Sequence, residues 1–299
     1  MSVLVVGSVA FDAVETPYGK RERMLGGAGT FFALAASYFT QVGVVAVVGD
    51  DFGEDEMRVF RERGISTVGI EHAPGKSFFW AGKYSDDLVD RETLDTQLNV
   101  FADFHPQVPD VYKDYRFLML GNIDPVLQSH VQSQMTPSLV GGDTMNYWIS
   151  GKLEELKTTL KGVDVLMIND HEARQLSGEH NLLRAAKAIH ALGPKTLIIK
   201  RGEHGAALYR DGKVFTAPAF PLEHVRDPTG AGDSFAGGFM GYLASRPEIS
   251  EAELRRAMIY GSVMGSLSVE QFGTEGLQGL SMDQIQARYR LFKELMHFE

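Results

Sequence analysis

Short apolar runs rich in β-branched residues recur along this chain and constrain its fold more than any other feature. Val3–Val6, Val44–Val48, Phe117–Leu120, Val163–Ile168 and Thr196–Ile199 show almost no polar alternation. That is the pattern of strands covered on both faces, as in a parallel sheet. Between them lie stretches with helical character: Thr30–Phe39, Glu54–Arg63, Leu182–Leu192, Ser234–Ala244 and Ala252–Val269. Strands alternating with helices predict βαβ units and a layered α/β fold around a mainly parallel central sheet.

Two segments break this alternation. Lys76 to Val100 gathers aromatic and β-branched residues around Ser85-Asp86-Asp87, which predicts an antiparallel hairpin. Strand alternation puts Phe78, Trp80 and Tyr84 on one face and Phe79 on the other. Phe11 to Met24 has the same character around Pro17-Tyr18-Gly19. Residues 11–24 and 76–100 thus predict a small β-stranded lid. It would cover a pocket at the C-terminal ends of the sheet strands, where open α/β sheets bind ligands. The chain, 1–299, then reads as one domain with the lid segments inserted.

Composition excludes several classes. Acidic residues number 39 against 29 basic, a net charge of −10, which argues against a nucleic-acid partner. The absence of cysteine removes disulfides, thiolate metal sites and cysteine nucleophiles. No apolar run approaches the ~20 residues of a spanning helix. The N-terminal stretch lacks the basic region of a signal peptide. A cytoplasmic protein without membrane contact is expected.

Three tempting motifs fail. Gly75-Lys76-Ser77 ends like a P-loop, but Ile70 stands where that loop needs its first glycine. His171-Glu172 begins like a zinc-protease helix, but Gln175 replaces the second histidine. Gly49-Asp50-Asp51-Phe52-Gly53 reads as an acidic loop that caps a helix.

The richest chemistry lies in Asp227-Pro228-Thr229-Gly230-Ala231-Gly232-Asp233. Pro228 disfavours helix just upstream, and a bare glycine turn then leads into a helix at Ser234. Free N–H groups at such a helix start attract anions. A carboxylate inside that turn, Asp233, would repel a resting anion. It makes sense as a base that takes a proton from a hydroxyl attacking a phosphate.

DPTGAGDSFAGGF, the run from Asp227 to Phe239, resembles the C-terminal signature of the PfkB carbohydrate kinase family, whose fold is ribokinase-like. The resemblance implies that Gly230, Ala231 and Gly232 form an anion hole and that Asp233 is the catalytic base. Val5–Asp12 resembles the family's first strand, which implies that Asp12 binds substrate hydroxyls. Gly26-Gly27 resembles the glycine pair that approaches the substrate. Asn169-Asp170-His171-Glu172 fits an Asn-x-x-Glu motif, implying phosphate binding at Asn169 and Mg²⁺ held through water at Glu172. Lys200 to Gly205 resembles the nucleotide loop, implicating Lys200, Gly202 and Gly205. Ser262 stands where the family often has an adenine-side Asn. Asp227 and Thr229 match the start of a K⁺ site.

The reaction implied is transfer of the γ-phosphoryl group of ATP, with Mg²⁺, to a primary hydroxyl of a sugar or nucleoside. Family members often pair through the lid, which implies a homodimer. Two departures bear on the acceptor. Phe31 stands where many sugar kinases of the family have Asn, and Ala10 stands where ribokinases have another. Sugar contacts are lost and apolar surface is gained. Phe31 is either helix core or an aromatic contact that favours a nucleoside. Two other readings stay open: a non-catalytic sugar or nucleoside sensor, and a kinase of a vitamin-like heterocycle. Asp233 speaks against the sensor, which has no need of a base.

Overall fold

The computed structural model describes residues 1–297. The first half runs β1 (Ser2–Val6), β2 (Ala10–Thr16), β3 (Gly19–Gly26), α1 (Ala28–Ala36), β4 (Gln41–Val48), α2 (Glu54–Glu62), β5 (Ser66–His72), β6 (Phe78–Tyr84), β7 (Arg91–Gln97), β8 (Phe117–Leu120), α3 (Pro125–Gln132) and β9 (Leu139–Gly142). The second runs α4 (Asn146–Gly151), α5 (Leu153–Leu160), β10 (Val165–Asn169), α6 (Asp170–Ser177), α7 (Leu182–His190), β11 (Thr196–Lys200), β12 (Ala206–Arg210), β13 (Lys213–Ala217), α8 (Ala231–Ala244), α9 (Glu251–Ser268) and α10 (Met282–Leu295).

Nine strands form the large sheet in the order β13-β12-β11-β10-β9-β8-β1-β4-β5. All neighbours run parallel except β11-β12 and β12-β13, which are antiparallel. The apolar runs explain this placement. In β1, Val3 and Val5 enter one core with α1, α8 and α9, while Leu4 and Val6 enter the core on the opposite face. Every expected strand and helix is present. β12 and β13 turn at Asp211-Gly212, where both residues have positive φ.

The two β excursions form one four-stranded sheet, β3-β2-β6-β7. Each is an antiparallel hairpin, and β2 joins β6 in parallel. The second hairpin turns over Ser85–Asp90, closed by Leu88 N–H to Ser85 O at 2.9 Å. β2 starts only three residues after β1 ends, so the two sheets adjoin at Gly7–Val9.

The failed P-loop motif and the acidic loop at Gly49–Gly53 bind each other. Asp50 accepts from Gly75 N–H at 2.9 Å, and Asp51 accepts from Ser77 N–H at 2.7 Å. Among the described residues no helix is long and apolar enough to cross a membrane.

Candidate active site

The glycine turn opens α8 at the C-terminal edge of the large sheet. Gly230 takes the left-handed conformation at φ 73°, which glycine adopts without penalty. A β-carbon there would collide with the Phe31 ring. Gly232 is equally confined, since a β-carbon would lie 2.8 Å from Lys200 Nζ. Among the described residues no backbone carbonyl takes the N–H of Gly232 or Asp233. These groups are free at the positive end of the helix dipole.

Charges converge on this turn from several strand ends. Asp143 follows β9 and lies 3.6 Å from Lys200 Nζ at the end of β11. Asp233 is pushed up to about 7 by burial and by the Asp143 charge, with Lys200 and Arg91 pulling it down. Glu172 is raised to about 7 by burial and Asp143. Burial alone would lower Lys200, but Asp143, Glu172 and Asp233 outweigh it and hold its ammonium above the usual range. Such shifts mark acid–base sites, and a base near neutrality suits proton abstraction.

Asp12 comes from β2, in the small sheet. It is 5 % exposed and raised to about 7, chiefly by burial, with the Gly27 N–H opposing and Asp227 and Asp233 adding repulsion. A β-carbon on Gly26 would collide with its carboxylate. Gly27, at φ 91°, lies against Ser8, whose carbonyl oxygen would stand 2.5 Å from a β-carbon. Gly26 and Gly27 thus pack beside Asp12, whose carboxyl lies within the field of Asp233.

The remaining expected residues take varied places. Asn169 and Glu172 cap α6 reciprocally at 2.8 Å in both directions, which leaves one Glu172 oxygen outside that pair. Gly202 and Gly205 shape the tight turn after Lys200, and a side chain on Gly202 would meet nothing. Ser262 is half-buried on α9. Its neighbour Gly265 lies near Ala231 at the start of α8. Asp227 is 1 % exposed and ties two loops. Its oxygens accept from Thr229 N–H and Gly273 N–H, both at 2.9 Å.

Of the two readings of Phe31, helix core or aromatic contact, its environment favours the first: it is 1 % exposed and its ring is the floor beneath Gly230. Sequence reasoning missed Asp143 and Arg91. Asp143 follows a strand of four residues that ends in two glycines, too short and too glycine-rich to register as a strand. Arg91 starts a strand exposed along its whole length, which reads as a solvated run.

Among the described residues no three acidic or histidine side chains stand close enough to cage a metal ion. The donors fit Mg²⁺ held mainly by phosphate oxygens and water, with Glu172 and Asp143 as outer partners, the usual manner for this ion.

A helix start with free N–H groups, a buried carboxylate beside it and a second buried carboxylate from the small sheet suit a phosphotransferase acting on an alcohol. Residues 1–278 match the pfkB family of carbohydrate kinases, and the chain belongs to that family. It is an ATP-dependent kinase, and the family uses ATP with Mg²⁺. A cytidine kinase of Thermococcus kodakarensis is 29% identical over 83% of this chain and 90% of its own. A Bacillus subtilis ribokinase is 28% identical over 92% and 95%. The fold is that of a Burkholderia thailandensis nucleoside kinase solved with inosine, at a TM-score of 0.81 with 20% identity over 97% of both chains.

Proposed function

We propose that the acceptor is a nucleoside, phosphorylated at its primary hydroxyl within one kinase domain whose small sheet is the lid. The observation that carries this reading is the seat of Trp80. Trp80 is the register partner of Asp12, so both side chains lie on the same face of the sheet. A β-carbon on Gly82 would collide with the indole, so the ring lies flat along the strand beside the hydroxyl-binding carboxylate. Its Nε1–H reaches Thr93 Oγ1 at 3.4 Å. A base would stack on such a ring by displacing the Arg91 guanidinium, which stands 5.0 Å over it, while Asp12, Gly26 and Gly27 hold the ribose. Asp233 then takes the proton of the attacking hydroxyl, and the turn N–H groups and Lys200 receive the γ-phosphate. The cytidine kinase relative and the nucleoside kinase fold agree with this reading.

A panel of cytidine, inosine, adenosine, ribose and fructose, scored by ADP release, tests it. Base stacking on an aromatic side chain contributes about 1–3 kcal/mol, so the best nucleoside should exceed ribose at least about tenfold in kcat/KM. Ribose or fructose outperforming every nucleoside would overturn it.

Three further features belong to this reading. The β7 edge exposes Leu94 and Leu98 at 54% and 49%, and unpaired edges invite pairing with a second copy. We place a homodimer contact there, checked by light scattering of Leu94→Lys. K⁺ would act near Asp227 and Thr229, and identical rates in K⁺ and in a large organic cation would remove it. A cytoplasmic location goes with this reading, since ATP is supplied there.

A further inference from the structure

The site holds many acids and few cations. The charges of Asp12, Asp143, Glu172 and Asp233 are linked by mutual repulsion or by Lys200, and Lys200 is already matched by Asp143 at 3.6 Å. The γ-phosphoryl group brings further negative charge into this setting. The other cation whose field reaches Asp12, Glu172 and Asp233 is Arg91, and it comes from the small sheet.

Its placement is fixed from two sides. Arg91 pairs in register with Tyr84 at the last rung before the hairpin turn. Tyr84 is 8% exposed, and its hydroxyl lies 3.1 Å from Thr229 Oγ1, just before Gly230. The hairpin tip is thereby docked on the anion turn. On the other side the guanidinium stands 5.0 Å from the centroid of the Trp80 ring, within cation–π range. Its own hairpin carries Asp86, Asp87, Asp90, Glu92 and Asp95. Among the described residues Arg91 forms a salt bridge with none of them and with no other carboxylate. Arg91 lies over the indole and beside the Tyr84 hydroxyl, and with no carboxylate partner it keeps donors of its planar fork for phosphate oxygens.

We propose that Arg91 is a catalytic residue delivered by the small sheet, whose guanidinium binds the γ-phosphoryl oxygens during transfer, opposite Lys200. The bond between the γ-phosphorus and the bridging oxygen breaks, and its electron pair leaves with ADP. The acceptor oxygen bonds to phosphorus, and its proton passes to Asp233. Arg91 stays protonated throughout and neutralises charge that is spread over the transferring group. This inference rests on the kinase reaction and not on the identity of the acceptor.

The test compares wild type, Arg91→Ala and Arg91→Lys with the best acceptor of the panel. Arg91→Ala should lose about 10²–10³-fold in kcat, the scale for removing one preorganised donor, with acceptor KM and affinity for a non-hydrolysable ATP analogue within a few fold. Arg91→Lys should fall between. ADP with aluminium fluoride and acceptor should raise the melting temperature of wild type but not of Arg91→Ala. Millimolar guanidinium ion should restore part of the lost turnover. Wild-type kcat in either variant, or a loss confined to KM, overturns the role of Arg91 and leaves the kinase assignment standing. A wild type that phosphorylates no acceptor overturns the kinase assignment, and the role of Arg91 with it.

Discussion

The ammonium of Lys200 fills the space that a side chain on Gly232 would need, with Nζ 2.8 Å from the position of a β-carbon. One cation is thereby pressed against the backbone of the anion turn and held from behind by Asp143. Gly232→Ala would displace it or block the phosphate. Alanine is a better helix former than glycine, so far-UV circular dichroism should not change. Turnover should fall at least about 10²-fold. Activity within a few fold of wild type would place the phosphate elsewhere.

Asp233→Asn keeps the shape and removes the base. It should lower kcat at least about 10²-fold while binding of an ATP analogue changes far less. Asp233 is held at about 7 and must give up its proton to accept another. In wild type kcat should therefore climb between about pH 6 and about pH 8. A flat profile there would remove Asp233 as the base.

The same burial predicts how stability responds to pH. Asp12, Glu172 and Asp233 sit at about 7 in the fold, against ordinary values of 3.8, 4.5 and 3.8. Between these limits the native chain holds protons that the unfolded chain has released. Their contribution is complete below the ordinary values and is lost as pH rises through about 7. Exposed ion-paired carboxylates such as Glu54 are lowered and act on the acid side of that window. The ligand-free melting temperature should fall from about pH 5 to about pH 8, and less steeply in Asp233→Asn. A rise over this range would contradict the assigned environments.

Phe31 supports the turn from below. Phe31→Ala should cost about 3–5 kcal/mol of stability, as for other buried Phe truncations. Phe31→Leu should keep the fold with an acceptor KM near wild type. A selective rise in nucleoside KM with Phe31→Leu would return the ring to the acceptor.

Gly82→Ala should dislodge the Trp80 indole. Tryptophan fluorescence should shift, and nucleoside KM should rise as it does in Trp80→Ala. An unchanged KM in both variants would take the indole out of the acceptor site.

The architecture was largely legible because its signals are local. Uninterrupted apolar runs such as Val44–Val48 announce two-sided burial, and the Ser85-Asp86-Asp87 turn announces a hairpin. The run Asp227 to Asp233 puts the glycine turn and its carboxylate on one short stretch. What escaped depends on distant partners. Helical periodicity allows Phe31 to be core but does not tell that a bare Gly230 lies on it. Nothing near Asp143 in sequence foretells Lys200, which is brought there by the parallel order of β9, β10 and β11. Arg91 sits in RETLDTQ, whose polarity suits a solvated edge. Its importance comes only from the Tyr84 rung and the Trp80 ring.

The three residues between β1 and β2 have a consequence for the timing of the reaction. Asp12 belongs to one sheet and Asp233 to the helix start on the other, and Gly7–Val9 is the short stretch of main chain between β1 and Asp12's strand. A swing about that joint would change the separation of hydroxyl and base while leaving the pairing inside each sheet intact. Such a swing would bring hydroxyl and base together as a rigid-body movement, as two jaws meet at their teeth. Water entering with the jaws apart would find the phosphate without the full set of groups needed to attack it.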